Sequence, residues 1–268
     1  MLVARVSLAG AEETVAERPR RAGIPEDAQH VDSLDVHGVS AYVLGNSLFL
    51  APDLAVIQQK RIRIPRLCAP IRSIGWLHDS ARVIRCSSEP SEWQFTWTED
   101  PGASPVMMIA FDAAPILLEH SSPATSMGDG SVMLHAHQAR TVGEKLRYEP
   151  QWYKNTVGYW TVPTDYVTWE LVVEQPGTYA VAVLQGCGAG QGGSDAQLTL
   201  LQSSELIAAL DFKTMETGHF QNFRWNDLGL VNIAESGKYE LRIVPRRIAH
   251  AALFDVRAIH LVRQADAR

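Results

Sequence analysis

The chain has little cysteine. Cys68, Cys86 and Cys187 are the only three in 268 residues. Their spacing fits no metal-ligand set, and an odd count closes no disulfide framework. Buried free thiols are the expected state, with a Cys68–Cys86 bridge as the alternative in an oxidising compartment. Excess positive charge is also missing, since 24 Lys and Arg stand against 30 Asp and Glu, for a net −6. Phosphate neutralisation needs a basic face, so nucleic acid is not expected as a partner. No apolar run approaches the ~20 residues of a membrane span, and no membrane partner is expected. The amino terminus, MLVARVSLAGAEETVAERPRR, has too short an apolar stretch for a secretory signal. The chain therefore reads as cytoplasmic, or as exported by a signal outside this sequence. Alternating strand–helix units are absent, whereas a TIM barrel needs about eight of them. No G-x-S-x-G elbow and no H-E-x-x-H is present.

What is there is period-two hydrophobicity. Val167, Trp169, Leu171 and Val173 alternate with Thr168, Glu170 and Val172, as in a strand with one face buried. Pro176-Gly177 then turns the chain. Tyr179, Val181 and Val183 alternate again. The pattern recurs at Leu198/Leu200, at Tyr239/Leu241/Ile243, and around Phe254, Val256 and Ile259. Upstream, AYVLGNSLFLA carries a Gly45-Asn46 turn signal, and RIRIPRL alternates Arg61 and Arg63 with Ile62 and Ile64. IRSIGWL, EWQFTW and PVMMIAF follow, with no helix-length amphipathic segment among them. Short strands separated by Gly, Pro and Ser predict an all-β protein.

Composition divides the chain. Residues 1–29 are charged and contain proline, and read as a tail or strap. Residues 30–118 read as a small β-sandwich. Residues 119–131, EHSSPATSMGDGS, read as a linker. Residues 132–264 read as a second β domain. The expected fold is thus two antiparallel β-sandwich domains.

Two local patterns invite chemistry. Gly188-Ala189-Gly190-Gln191-Gly192-Gly193 matches G-x-G-x-x-G, but a nucleotide fingerprint needs a helix to open after it. SDAQLTLL alternates like a strand instead, so the glycines read as a hairpin loop. His135-Ala136-His137 could put two imidazoles on one face of a strand. His260 would approach them if the first and last strands of the domain pair. Two satisfied surface histidines are the simpler reading.

GYWTVPTDYVTWELVVEQPGTY, GCGAGQGGS, TGHFQNF, LGLVNIAESGKYELRIVP and ALFDVRAIHL together resemble the sugar-binding module appended to bacterial α-L-fucosidases of glycoside hydrolase family twenty-nine. That module is similar to family-six carbohydrate-binding modules, with their galactose-binding-like jelly roll. GNSLFLA, RIRIPRLCAPIRSIGWL and PVMMIAF resemble the smaller sandwich behind the catalytic barrel of those enzymes. The resemblance spans roughly residues 36–263. It implies a carbohydrate-binding protein or accessory region with a glycan or polysaccharide partner, or alternatively a structural piece of an α-L-fucosidase whose catalytic barrel is encoded elsewhere and with no live sugar site. A glycoside hydrolase catalytic domain is the further partner in either case. It also implies an extracellular or periplasmic setting. The barrel has no counterpart here, and no motif places the carboxyl pair that retaining glycoside hydrolysis needs about 5 Å apart. No catalytic residue and no cofactor is expected.

The resemblance assigns three sugar-binding residues. Tyr159 and Phe220 correspond to the aromatics that flank the sugar, and Asp255 to a hydrogen-bond acceptor for its hydroxyls. Those modules often hold a structural calcium through acidic residues. His137 and Arg257 stand at these positions here, and calcium prefers oxygen ligands, so no metal is expected. Trp169, alternating with Val167 and Leu171, reads as core.

Overall fold

The computed structural model describes residues 23–79, 81–102 and 105–265. The tail proposed for residues 1–29 therefore lies mostly outside the described residues. Its last residue, Gln29, opens the strand Gln29–His30.

The first unit is a sandwich of a five-stranded and a three-stranded sheet. The larger sheet orders Gln29–His30, Val39–Leu44, Ser47–Pro52, Met107–Phe111 and Ile71–Trp76. The smaller orders Arg61–Pro65, Glu92–Trp97 and Ile84–Ser88. Alternation sets which side chains meet between them. Ile62 and Ile64 are buried while Arg61 and Arg63 are exposed, and Trp93, Phe95 and Trp97 all turn inward. One element is not legible as a pattern. Leu54–Gln59 is a six-residue helix whose first turn is capped by Asp53, which accepts from the Val56 N–H at 2.9 Å. Six residues are too few to show a helical period.

The second unit is a jelly roll of two six-stranded sheets. One orders Arg147–Glu149, Thr156–Gly158, Asp255–Arg263, Gly177–Gly186 and Arg224–Ile233, with Val132–His135 also paired to Asp255–Arg263. The other orders Arg140–Val142, Tyr166–Val173, Gly237–Arg247, Asp195–Gln202 and Glu205–Lys213. The short strand Ala124–Thr125 joins it alongside Tyr166–Val173 and runs parallel to it. It lies in the stretch read as a linker. The other strand pairs are antiparallel. The all-β, two-sandwich reading holds. Trp169, Leu171, Tyr179, Val183, Leu241 and Ile259 are buried between the sheets, as the alternation requires.

The two sandwiches share one apolar core. Trp93 of the first packs against Phe111 at 6.3 Å and against Tyr148 of the second at 6.2 Å, ring centre to ring centre. Polar contacts lock the seam. The Ile71 N–H donates to Pro150 O and the Trp152 N–H to Ile71 O, at 2.7 and 3.0 Å. Arg66, almost fully buried, donates to the carbonyls of Ala139 and His137 at 2.7 and 3.1 Å. Burial holds the charge out of water and lowers its pKa. Cys68 and Cys86 remain free thiols, and burial pushes Cys86 up to about 12.

Candidate functional site

One end of the jelly roll carries a cleft of about 250 Å³. Glu149, Lys154, Tyr159, Thr161, Phe220 and Asp255 line it, together with Gln221 and Ala252. Tyr159, Phe220 and Asp255, drawn from three distant stretches of sequence, thus face one cavity.

The Gly158-Tyr159-Trp160 step builds one wall. Trp160 is buried, donates its ring N–H to Asp165 O at 2.9 Å and packs on Phe254 at 5.5 Å. With its neighbour anchored inward, Tyr159 turns outward and is 49% exposed. Its backbone sits at φ +61°, a left-handed conformation that a bulky residue adopts only under constraint. The Arg147 guanidinium lies over its ring, 3.9 Å from the centroid. Arg147 is itself tied to the first sandwich, donating to Ser88 O at 2.7 Å and pairing with Glu89 at 3.0 Å. The first sandwich therefore braces the Tyr159 wall from behind.

Phe220 forms the opposite wall on a loop stitched to Cys187. The Thr217 hydroxyl accepts from the Cys187 N–H at 2.8 Å and donates to Cys187 O at 3.0 Å. Two glycines let this loop close in. A Cβ at Gly186 would stand 1.9 Å from Phe220 O, and one at Gly188 would stand 2.7 Å from the Phe220 ring. That is the local use of the glycine-rich stretch. No helix follows Gly188–Gly193, but the stretch is not the hairpin that the sequence suggested. Gly177–Gly186 and Asp195–Gln202 belong to different sheets, so the loop crosses from one sheet of the jelly roll to the other. Gln191 within it accepts from the Ala251 and Ala252 N–H groups at 2.9 and 3.2 Å, fixing the cleft's third edge.

The floor is polar. Asp255 opens the last strand just before a register shift, since Gln185 pairs with Val256 and Leu184 with Ala258. Arg257 is the extra residue, and such a bulge bends a strand and redirects its side chains. Its guanidinium donates to Tyr153 O and Lys154 O at 2.8 and 2.5 Å, which holds the loop carrying Lys154. Lys154 forms an ion pair with Glu149. Burial works against the lysine charge, but the Glu149 partner outweighs it and the pKa is raised. Gly158 leaves the space in which two carboxyl groups converge. A Cβ there would lie 2.7 Å from Asp255 Oδ1 and 3.1 Å from Glu149 Oε2.

Strand pairing brings the Glu149 and Asp255 carboxyl groups to the same space beside Gly158 with no sequence motif linking them, and without a geometry that makes them a hydrolytic pair. Asp255 was assigned as an acceptor, and its surroundings also favour its protonated form. It is buried, and burial, followed by the Glu149 charge, raises its pKa well above the usual carboxylate value, with Lys154 opposing. Asp255 thus keeps its proton to higher pH than an exposed carboxyl and can donate through it. Glu149 and Lys154 escaped notice because an isolated Glu and Lys in EPQWYK carry no pattern.

The histidines do not gather as a metal centre. The strands Val132–His135 and Asp255–Arg263 do pair, with Met133 opposite His260. His135, however, ends its strand, and His137 sits in the following turn with its ring stacked on His135 at 5.3 Å. His260 packs against Trp225 at 6.1 Å. The simpler reading of two surface histidines fits His135, which is exposed, but not its neighbour. His137 is half-buried, and burial, then His135 and Arg66, depress its pKa to about 4.

No protein-family model matches the chain, and no curated protein matches it. Solved structures do. An α-L-fucosidase from Vibrio sp. strain EJY3 aligns over 87% of this chain at 9% identity and a TM-score of 0.35. The chain spans 41% of that enzyme's length. The C-terminal CBM6 of LamC, a marine laminarinase from Zobellia galactanivorans, aligns over 50% of this chain and 99% of its own, at 14% identity and 0.40. A family 35 carbohydrate-binding module from Clostridium thermocellum covers 50% of this chain and 98% of its own, at 17% and 0.39. At such low identities and scores these likenesses carry no chemistry, and the functional reading below stands on the cleft.

Proposed function

We propose that the second sandwich recognises a glycan, with the sugar seated in the cleft between Tyr159 and Phe220. One observation carries this reading. Two aromatic side chains from separate loops flank a polar floor of Glu149, Lys154 and Asp255 in a cavity of about 250 Å³. A sugar ring offers an apolar face and a rim of hydroxyls. Aromatic walls take the face, while carboxyl and ammonium groups exchange hydrogen bonds with the rim. The seam with the first sandwich holds Arg147, and through it Tyr159. The first sandwich is therefore a scaffold for the cleft. The resemblance to the region behind a fucosidase barrel is consistent with work beside a glycoside hydrolase catalytic domain.

The test is a glycan array followed by calorimetry on the purified chain. Tyr159→Ala and Phe220→Ala should each weaken binding about fivefold or more, as expected for loss of roughly 1 kcal/mol of aromatic contact. Melting should stay close to the parent. If both variants stay folded and bind like the parent, the sugar sits elsewhere.

A further inference from the structure

The shape and charge of the cleft say more than that it is suited to a sugar. Its volume of about 250 Å³ lies below the ~300 Å³ at which sites for drug-sized ligands begin. It is closed below by Asp255, which is buried, and its outer wall is the half-exposed Tyr159. A single ring can enter edge-on and leave the rest of its chain in solvent past Tyr159. The charges are also accounted for. Among the described residues lining the cleft, Lys154 is the one cation, and it is already paired with Glu149. A ligand carboxylate would meet Glu149 with no free cation to offset it.

We propose that the cleft takes the terminal, uncharged residue of a glycan, held by adjacent hydroxyls that bridge the Glu149 and Asp255 carboxyl groups. The inference rests on the glycan reading above and adds the class of residue bound. The bridge is asymmetric. Glu149, ion-paired, accepts from one hydroxyl. Asp255, whose burial favours the protonated carboxyl, donates to the next while it holds its proton. The same-sided approach of both groups depends on Gly158, whose missing side chain leaves room for them.

A pH dependence follows. The charged and titratable groups around Asp255 are Glu149 on Arg147–Glu149, Lys154 on the next loop and Cys187 just past Gly177–Gly186. Glu216 stands behind Cys187, and Arg257 on the same strand turns to the Tyr153 and Lys154 carbonyls. Cys187 is pushed up to about 11 by burial, Glu216 and Asp255, so it holds its proton through the neutral range. Lys154, with a raised pKa, keeps its charge there too. Asp255 is then the group in this set whose ionisation removes a donor from the floor as pH rises.

The experiment uses the full chain and paired probes on an array and by titration calorimetry. The pairs are oligosaccharides ending in neutral glucose, galactose or mannose, and the same compounds with the terminal residue oxidised to a uronic acid. Neutral ends should bind, and oxidation should cost about tenfold or more in affinity. Short and long oligomers of one series should bind one protein per chain. Affinity for the neutral probe should fall as pH is raised, with the fall displaced upward from the range of an ordinary carboxyl near ~3.9. Asp255→Asn, whose amide N–H donates in place of the carboxyl O–H, should bind about as well as the parent at the low end and show a flat pH profile. Glu149→Gln, with its melting curve as the control for folding, should lose about tenfold. Equal or tighter binding of the uronic acids overturns the proposal, as does several proteins bound along one long chain. So does a parent profile that is flat in pH. These failures leave the glycan reading standing as long as Tyr159→Ala and Phe220→Ala still lose binding. Absence of binding to every glycan overturns both.

Discussion

Arg66 is the most informative single position in the seam. It is 4% exposed, and its guanidinium reaches from the first sandwich to carbonyls of the second, with strong bonds to Ala139 and His137 and a longer one of 3.4 Å to Ala136. It also lies over the Tyr148 ring at 4.9 Å. Replacing it with methionine keeps much of the stem's packing and removes the charge. The two short bonds, at about 1.5–3 kcal/mol each for a charged donor, set the gross loss. Against this, the variant no longer holds a charge out of water, and that relief offsets part of the loss. Burial of Arg66, which lowers its pKa, is the source of the cost so relieved. A net loss of about 3 kcal/mol is expected, because the carbonyls are left buried and unpaired. In a chain of this size each kcal/mol moves the melting temperature by about 2–4 °C, so the shift should be about 6–12 °C. Calorimetry should show one transition for parent and variant alike, since the Trp93–Tyr148 contact makes the core continuous. Arg66→Lys, which keeps the charge but not the planar fork, should recover part of the loss. A methionine variant melting within about 1 °C of the parent would mean that desolvation cancels the hydrogen bonds, and the account of the seam would be wrong.

Two further outcomes test the site's construction. Asp255 should make the native state lose stability as pH rises. Below the unfolded-state value of about 3.9 both states hold the proton; above it the unfolded chain releases it first, so the native state binds more protons until the folded carboxyl also ionises. Asp255→Asn removes that slope, and its melting temperature should gain on the parent's steadily from about pH 4 upward; parallel curves would refute the raised pKa. Gly186→Ala should cost about 1–3 kcal/mol by overpacking, because its Cβ would stand 1.9 Å from Phe220 O and the loop must move. Glycan binding should fall with it, and an unchanged melting curve would show that the loop is not seated as described.

Much of the fold is legible in one dimension because a strand with one face buried repeats every two residues. That is why Val167–Val173, Tyr179–Val183 and Tyr239–Ile243 could be recognised as strands, and why a strand rather than a helix was expected after the glycine-rich 188–193 run. That the run crosses between sheets instead of closing a hairpin is decided by strand pairing, which alternation does not encode. Alternation is also why Trp169 reads as core. The helix Leu54–Gln59 and the two-residue strand Ala124–Thr125 are too short to repeat anything. The aromatic walls were within reach of the sequence because Tyr159 and Phe220 sit in loop contexts that a resemblance can pick out. The floor was not. Glu149, Lys154 and Asp255 meet only once Thr156–Gly158 is laid between Arg147–Glu149 and Asp255–Arg263, and a bulge at Arg257 sets the register there. Ionisation is a property of that assembled surround. The sequence names an aspartate, but burial and a neighbouring glutamate, both consequences of tertiary packing, decide how firmly it holds its proton.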